Sequence, residues 1–207
     1  MAQYVFPILA SRGYTDGFNE YKLESFHWES ASPYRPDVFF SLFAVENDGI
    51  YCRIRAYEAA PRTVCKKRDE PVYEDSALEF FIAPVPGRNE YINVECNSNG
   101  VFLSQFGAAR DGRVFIREIT GESPEVVPLS GNDASGIWWG VEIHLPQSLI
   151  AALFNTGFTA APQTFRFNVF KCGDCTETPH YLAFSPVGEM PPGFHNPDCF
   201  ADAVFKR

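Results

Sequence analysis

The sequence predicts an all-β chain: an antiparallel β-sandwich of jelly-roll or immunoglobulin-like type with one or two short helices. Three observations predict it. The chain holds 20 Phe against 2 Met and is 15% aromatic, and such side chains pack well on pleated faces. Strand-length stretches recur with turn signals between them. A helical pattern stands out at one place only.

The elements follow in order. The start, MAQYVFPILASRG, has no Lys or Arg before its short apolar patch, and Pro7 interrupts that patch. It reads as a first strand rather than a signal peptide, so a cytoplasmic location is the expectation. VFFSLFAV (38–45) leads through ENDG into IYCRIRAYE (50–58), where apolar and polar residues alternate. ALEFFIAP (77–84), YINVECN (91–97), VFLSQF (101–106), VFIREI (114–119) and IWWGVEIHL (137–145) continue the series. TFRFNVFK (164–171), YLAFS (181–185) and CFADAVF (199–205) complete about ten strands. Between them, Pro146 occupies a helix start, QSLIAALF follows, and Asn155-Thr156-Gly157 ends it.

With 207 residues and no low-complexity linker, residues 1–207 are expected to form a single domain. The net charge of −9 repels phosphate backbones and speaks against nucleic acid as a partner. No apolar run approaches the ~20 residues that span a bilayer. The six cysteines (52, 65, 96, 172, 175, 199) are spread over a large chain and are expected to be reduced.

Strand parity locates the chemistry. On YINVECN, Ile92, Val94 and Cys96 form the apolar face, while Tyr91, Asn93, Glu95 and Asn97 form a polar row. Such a row is either solvated surface or the floor of a groove. In VYEDSALEFF, Asp75, Ala77 and Glu79 point one way, with Tyr73 just before them on the same side. An aromatic ring beside fixed carboxylates suits a sugar, whose C–H face stacks while its hydroxyls find partners. Asp75 and Glu79 stand about 13 Å apart along one strand, too wide for the roughly 5–9.5 Å of a glycosidase pair. Glu79 and Glu95, on neighbouring strands, leave a hydrolase open as an alternative. Arg110 and Arg113 sit in a Gly-flanked loop and offer planar donors.

Residues 168–181, NVFKCGDCTETPHY, gather Lys171, Cys172, Asp174, Cys175 and His180. Cys172, Cys175 and His180 resemble a zinc spacing, but a core of this size needs no metal staple. The preferred reading is that Lys171, Asp174 and His180 project into a ligand groove.

Taken together, D-S-x-x-E-F-F, Y-x-N-x-E-x-N, K-C-G-D-x-x-x-x-P-H-Y and P-x-F-H-x-P resemble the family 9 carbohydrate-binding modules and their DOMON-like sandwich relatives over residues 26–205. The resemblance implies a non-catalytic protein that holds a mono- or oligosaccharide in a groove and serves carbohydrate catabolism. It implies stacking on Tyr73, where those modules carry Trp, and hydroxyl contacts at Glu79. It also implies a second aromatic, Tyr181 or Phe194, and an arginine, Arg110. Asn93, Glu95, Asn97, Lys171, Asp174 and His180 complete the expected ligand-binding set. The modules hold calcium near their N-terminus; the corresponding stretch here, residues 15–30, has no Asp-rich loop, and no cofactor is expected. Haem, which DOMON relatives can hold, is the remaining alternative.

Overall fold

The computed structural model describes residues 4–12, 19–27, 34–188 and 193–207. In chain order the strands are β1 (Tyr4–Leu9), β2 (Tyr21–Lys22), β3 (Ser25–Phe26), β4 (Val38–Val45), β5 (Gly49–Ala56), β6 (Ala77–Ala83), β7 (Tyr91–Asn97), β8 (Phe102–Gly107) and β9 (Val114–Phe115). Helix α1 (Ile116–Ile119), β10 (Glu125–Asp133), β11 (Gly136–Pro146), α2 (Gln147–Phe154), β12 (Gln163–Cys172), β13 (Tyr181–Ala183) and β14 (Ala201–Lys206) follow.

The strands form a β-sandwich whose two layers join through β1. The order runs β10-β11-β5-β4-β1-β14-β12-β6-β7-β8-β9. β1 lies parallel to β14 through Tyr4–Pro7 and parallel to β4 through Ile8 and Leu9. The other neighbouring strands in the path pair antiparallel. The departure from an all-antiparallel sandwich is therefore confined to the strand that changes layers. Phe40, Ile54 and Val141 of one layer meet Phe80, Val94 and Phe167 of the other in one core cluster. Each fully buried Phe contributes about 1.5–3 kcal/mol.

Helix α2 starts directly after Pro146, whose fixed φ suits the entry. It stops at Asn155, which takes the left-handed conformation (φ 48°) and caps two carbonyls with its backbone N–H. The predicted strand 114–119 is strand only at Val114 and Phe115; Ile116 then turns into α1 and buries its side chain. Cys199 lies in a short 3-10 turn, not in the final strand.

The sequence pattern missed β10 altogether. It is an exposed edge strand rich in polar residues, with Pro128 inside it, and carries little hydrophobic signal. Gly131 in β10 lies under the Trp138 ring, which a side chain there would meet at 2.5 Å. Ile137 shares the parity of the buried Trp139, Val141 and Ile143 but is 56% exposed. It pairs only with Asn132 near the hairpin tip, beyond the reach of β5.

Candidate sugar-binding site

The outer face of the layer built from β12, β6, β7 and β8 is not solvated surface. It is the floor of a cavity of about 990 Å³, at the upper end of the roughly 300–1,000 Å³ of small-molecule sites. Alternation decides what points into it. On β6, Leu78, Phe80 and Ile82 enter the core, so Glu79 faces outward. On β7, Ile92, Val94 and Cys96 enter the core, so Glu95 does the same. Leu103 and Gln105 from β8 and Cys172 from β12 complete the floor. Tyr73, Phe115, Tyr181 and Phe194 supply aromatic walls, and Arg110, Arg113, Asp174 and His195 supply polar ones.

Glu79 and Glu95 are direct cross-strand partners. That register puts their Cβ atoms roughly 4.5–5.5 Å apart, and like charges so placed oppose pairing. Both residues are nearly buried, at 2% and 3% exposure. Glu79 Oε1 accepts from the Cys172 thiol (3.0 Å), and Glu95 Oε1 accepts from Asn93 Nδ2 (2.9 Å). Burial, then the Glu95 charge, raises the Glu79 pKa well above its ordinary value. Burial raises that of Glu95 to about 7 against the opposing charge of Arg113. Strongly shifted carboxyls in a cleft mark functional sites.

Asn93 works behind this pair. Its Nδ2 serves Glu95 and its Oδ1 accepts from Arg113 Nη1 (3.1 Å), so one amide orients both groups. His195 comes from the far end of the chain. Its ring stacks on Phe81 at 4.8 Å, Nδ1 meets the Tyr91 hydroxyl (3.0 Å), and Nε2 lies 3.8 Å from Glu95 Oε1. Burial, then the Arg113 and Arg110 charges, lowers its pKa to about 3, so it is neutral at neutral pH. Asp174 is held by a hydrogen bond with Tyr181. Tyr73 is 40% exposed, which leaves its ring open for stacking.

Asn93, expected as a ligand contact, is completely buried behind the lining, and three further expected site residues lie elsewhere. Asn97 is fully committed: Nδ2 donates to Asp75 Oδ2 (2.9 Å) and the Cys65 carbonyl (3.2 Å), while Oδ1 accepts from the N–H groups of Asn99 and Val101. It ties the 97–101 turn to Asp75. Burial alone would raise the Asp75 pKa, but bonds from Asn97, Val64 N–H and Cys65 N–H outweigh it and hold the pKa low.

Lys171 and His180 also leave the groove. Phe170 and Cys172 flank Lys171 and sit opposite Glu79 and Ala77, whereas Lys171 sits opposite Leu78, on the core side. Lys171 is completely buried. Its Nζ donates to the Cys172 carbonyl (2.9 Å) and to His180 Nε2 (2.6 Å), and lies 3.5 Å from Glu58 Oε2. The Thr178 carbonyl can only accept, so His180 Nδ1 donates to it (2.8 Å) and Nε2 is left to accept from lysine. Burial, then the Lys171 charge, lowers the His180 pKa to about 4. Glu58 receives Trp139 Nε1–H (2.9 Å) and the Ser76 hydroxyl (3.0 Å). Burial opposes its ionisation, but the Lys171 charge and these bonds keep its pKa low. The expectation that Lys171, Asp174 and His180 share a groove is therefore corrected: Asp174 lines the cavity, and the other two close a salt-bridged network on the opposite side of the sheet.

The cysteines of NVFKCGDCTETPHY diverge likewise. Cys172 is buried on the cavity side, Cys175 is exposed, and His180 belongs to the lysine network. Among the described residues no group of three or more His, Cys, Asp or Glu is arranged to hold a metal. The stretch weighed for calcium, 15–30, falls partly outside the described residues.

Arg113, Gln105, Phe115 and His195 were not among the expected contacts. Arg113 and His195 did carry a signal, one in the loop beside Arg110 and the other in F-H-x-P. Gln105 and Phe115 carried none.

Comparison with known proteins bears on the fold and the family. No curated protein matches the chain. Among solved structures, a candidate carbohydrate-binding protein from Bacteroides uniformis superposes with a TM-score of 0.79 at 26% identity, over 99% of each chain. A family 9 carbohydrate-binding module from Caldicellulosiruptor kristjanssonii in complex with glucose gives 0.58 at 11% identity, over 98% of this chain and 95% of that one. The same source's module in complex with cellotriose gives 0.59 at 9%, over 99% and 94%. The family model for carbohydrate-binding family 9 matches residues 15–205, and the chain belongs to that family.

Proposed function

We propose that the cavity over β6, β7, β8 and β12 is the sugar-binding site of this carbohydrate-binding protein. One observation carries the reading: the buried pair Glu79 and Glu95 forms the floor of a roomy cleft whose rim is aromatic. Tyr73 stacks on the apolar face of a pyranose. Glu79 and Glu95 take its hydroxyl hydrogens, and Arg110, Arg113 and Gln105 donate to its oxygens. Asn93 positions Glu95 and Arg113, while Lys171 and His180 brace the loop that carries Asp174. Glucose and cellotriose in the solved relatives support a ligand of one to a few sugar units. Calorimetric titration with mono- and oligosaccharides tests this. Saturable binding lost in the Tyr73→Ala, Glu79→Gln double variant is the expected result; binding indifferent to both changes would overturn it.

One observation favours a hydrolytic second reading. Glu79 and Glu95 are adjacent across strands, and retaining glycosidases hold carboxyls roughly 5–5.5 Å apart. Turnover of chromogenic glycosides, abolished in Glu79→Gln, would support it; no turnover over hours at high enzyme would remove it.

A further inference from the structure

We propose that the preferred ligand is an amino sugar carrying a free amine, its ammonium seated over Glu79 and Glu95. This rests on the cavity being the sugar site. The first ground is an unmet bonding demand. Each carboxylate uses Oε1 within the protein, for Cys172 or Asn93. Oε2 of each takes no hydrogen bond among the described residues, and both side chains are almost wholly buried in the cavity floor. Two oxygens that open on the cavity therefore await donors from a ligand.

The second ground is charge. Three acids, Glu79, Glu95 and Asp174, face this end of the cavity from three separate segments. Arg113 acts on both glutamates through space. Arg113 spends Nη1 on Asn93 Oδ1 (3.1 Å) and Nε on the Arg110 carbonyl (3.0 Å), and among the described residues it forms no ion pair with either glutamate. His195 is neutral. Asp69, also in the wall, is paired with Arg117 at 2.9 Å. Burial and their closeness keep these two acids from both ionising, and a hydroxyl, which brings no charge, leaves that unchanged. An ammonium brings three donors and a full positive charge. The net charge of −9 adds a general attraction for cations.

The test compares matched sugars by calorimetry at pH 7.0 and low salt: glucose with glucosamine, galactose with galactosamine, mannose with mannosamine, and N-acetylglucosamine. At least one amine should bind tenfold or more tightly than its hydroxyl counterpart. N-acetylation should abolish the gain, and added salt should shrink it. In Glu79→Gln and in Glu95→Gln the amine-to-hydroxyl ratio should fall towards one. Equal or tighter binding of every neutral sugar would overturn the inference and leave the sugar site standing. Binding of neutral oligosaccharides alone would do the same. If no sugar in either set binds, both readings fall.

Discussion

Two charged clusters lie back to back on one sheet, and they are solved in opposite ways. Lys171 and Cys172 are neighbours on β12, yet they serve different faces. On the core side, Lys171 meets Glu58, His180 and a carbonyl, and each partner has further bonds of its own. On the cavity side, Glu79 and Glu95 face each other with one neutral donor each. A buried network that is fully satisfied holds structure. A buried pair left half-satisfied at a cavity floor is a place where a ligand completes the bonding. The lesson is that reactive side chains are sorted by satisfaction, not by density along the sequence.

The largest expected effect comes from breaking the satisfied side. Lys171→Met leaves Glu58 buried without its cation and should cost about 3–5 kcal/mol of stability, read by denaturant unfolding. A loss below about 1 kcal/mol would mean that the network is not structural. Next, Asn97→Ala should cost about 1–3 kcal/mol by orphaning Asp75 and the 97–101 turn. Sugar affinity per folded molecule should be unchanged, and a selective loss of affinity would return Asn97 to the site.

The unsatisfied side should behave in reverse. The folded-state pKa of Glu95, about 7, lies above its ordinary 4.5, so the folded chain binds that proton more tightly than the unfolded chain does. Its contribution to stability is present below about pH 4.5 and is lost as pH rises through about 7. Glu95→Gln removes this loss, so the variant should gain on the wild type between pH 5 and pH 8 in thermal melts, at about 2–4 °C per kcal/mol. A variant that is worse at pH 8 than at pH 5 would contradict the buried pair. The smallest effect is Tyr73→Ala, which should weaken sugar binding about tenfold with little change in melting temperature, since a stacked ring contributes about 0.5–1.5 kcal/mol.

Much of this was legible beforehand in particular residues. Alternation in YINVECN and ALEFF placed Glu79 and Glu95 on one face, and both line the cavity. Tyr73, Arg110 and Asp174 line it too, as do both candidate second aromatics, Tyr181 and Phe194. The same alternation, followed along TFRFNVFK, puts Lys171 with Phe165, Phe167 and Val169 on the core side, so its burial was readable. Other parts were not. Asn97 looks like any groove residue until its four turn bonds are seen. His195 reaches Glu95 across about a hundred residues, a meeting that strand order decides. β10 hides because an edge strand needs backbone partners more than apolar side chains.

A crystal structure of the chain with a bound hexose or hexosamine tests the central claim most directly. The sugar ring should lie against Tyr73, with a hydroxyl or ammonium within hydrogen-bond distance of Glu79 Oε2 and Glu95 Oε2. A sugar seated instead in the hollow formed by Tyr34, Glu58 and His180 would contradict it.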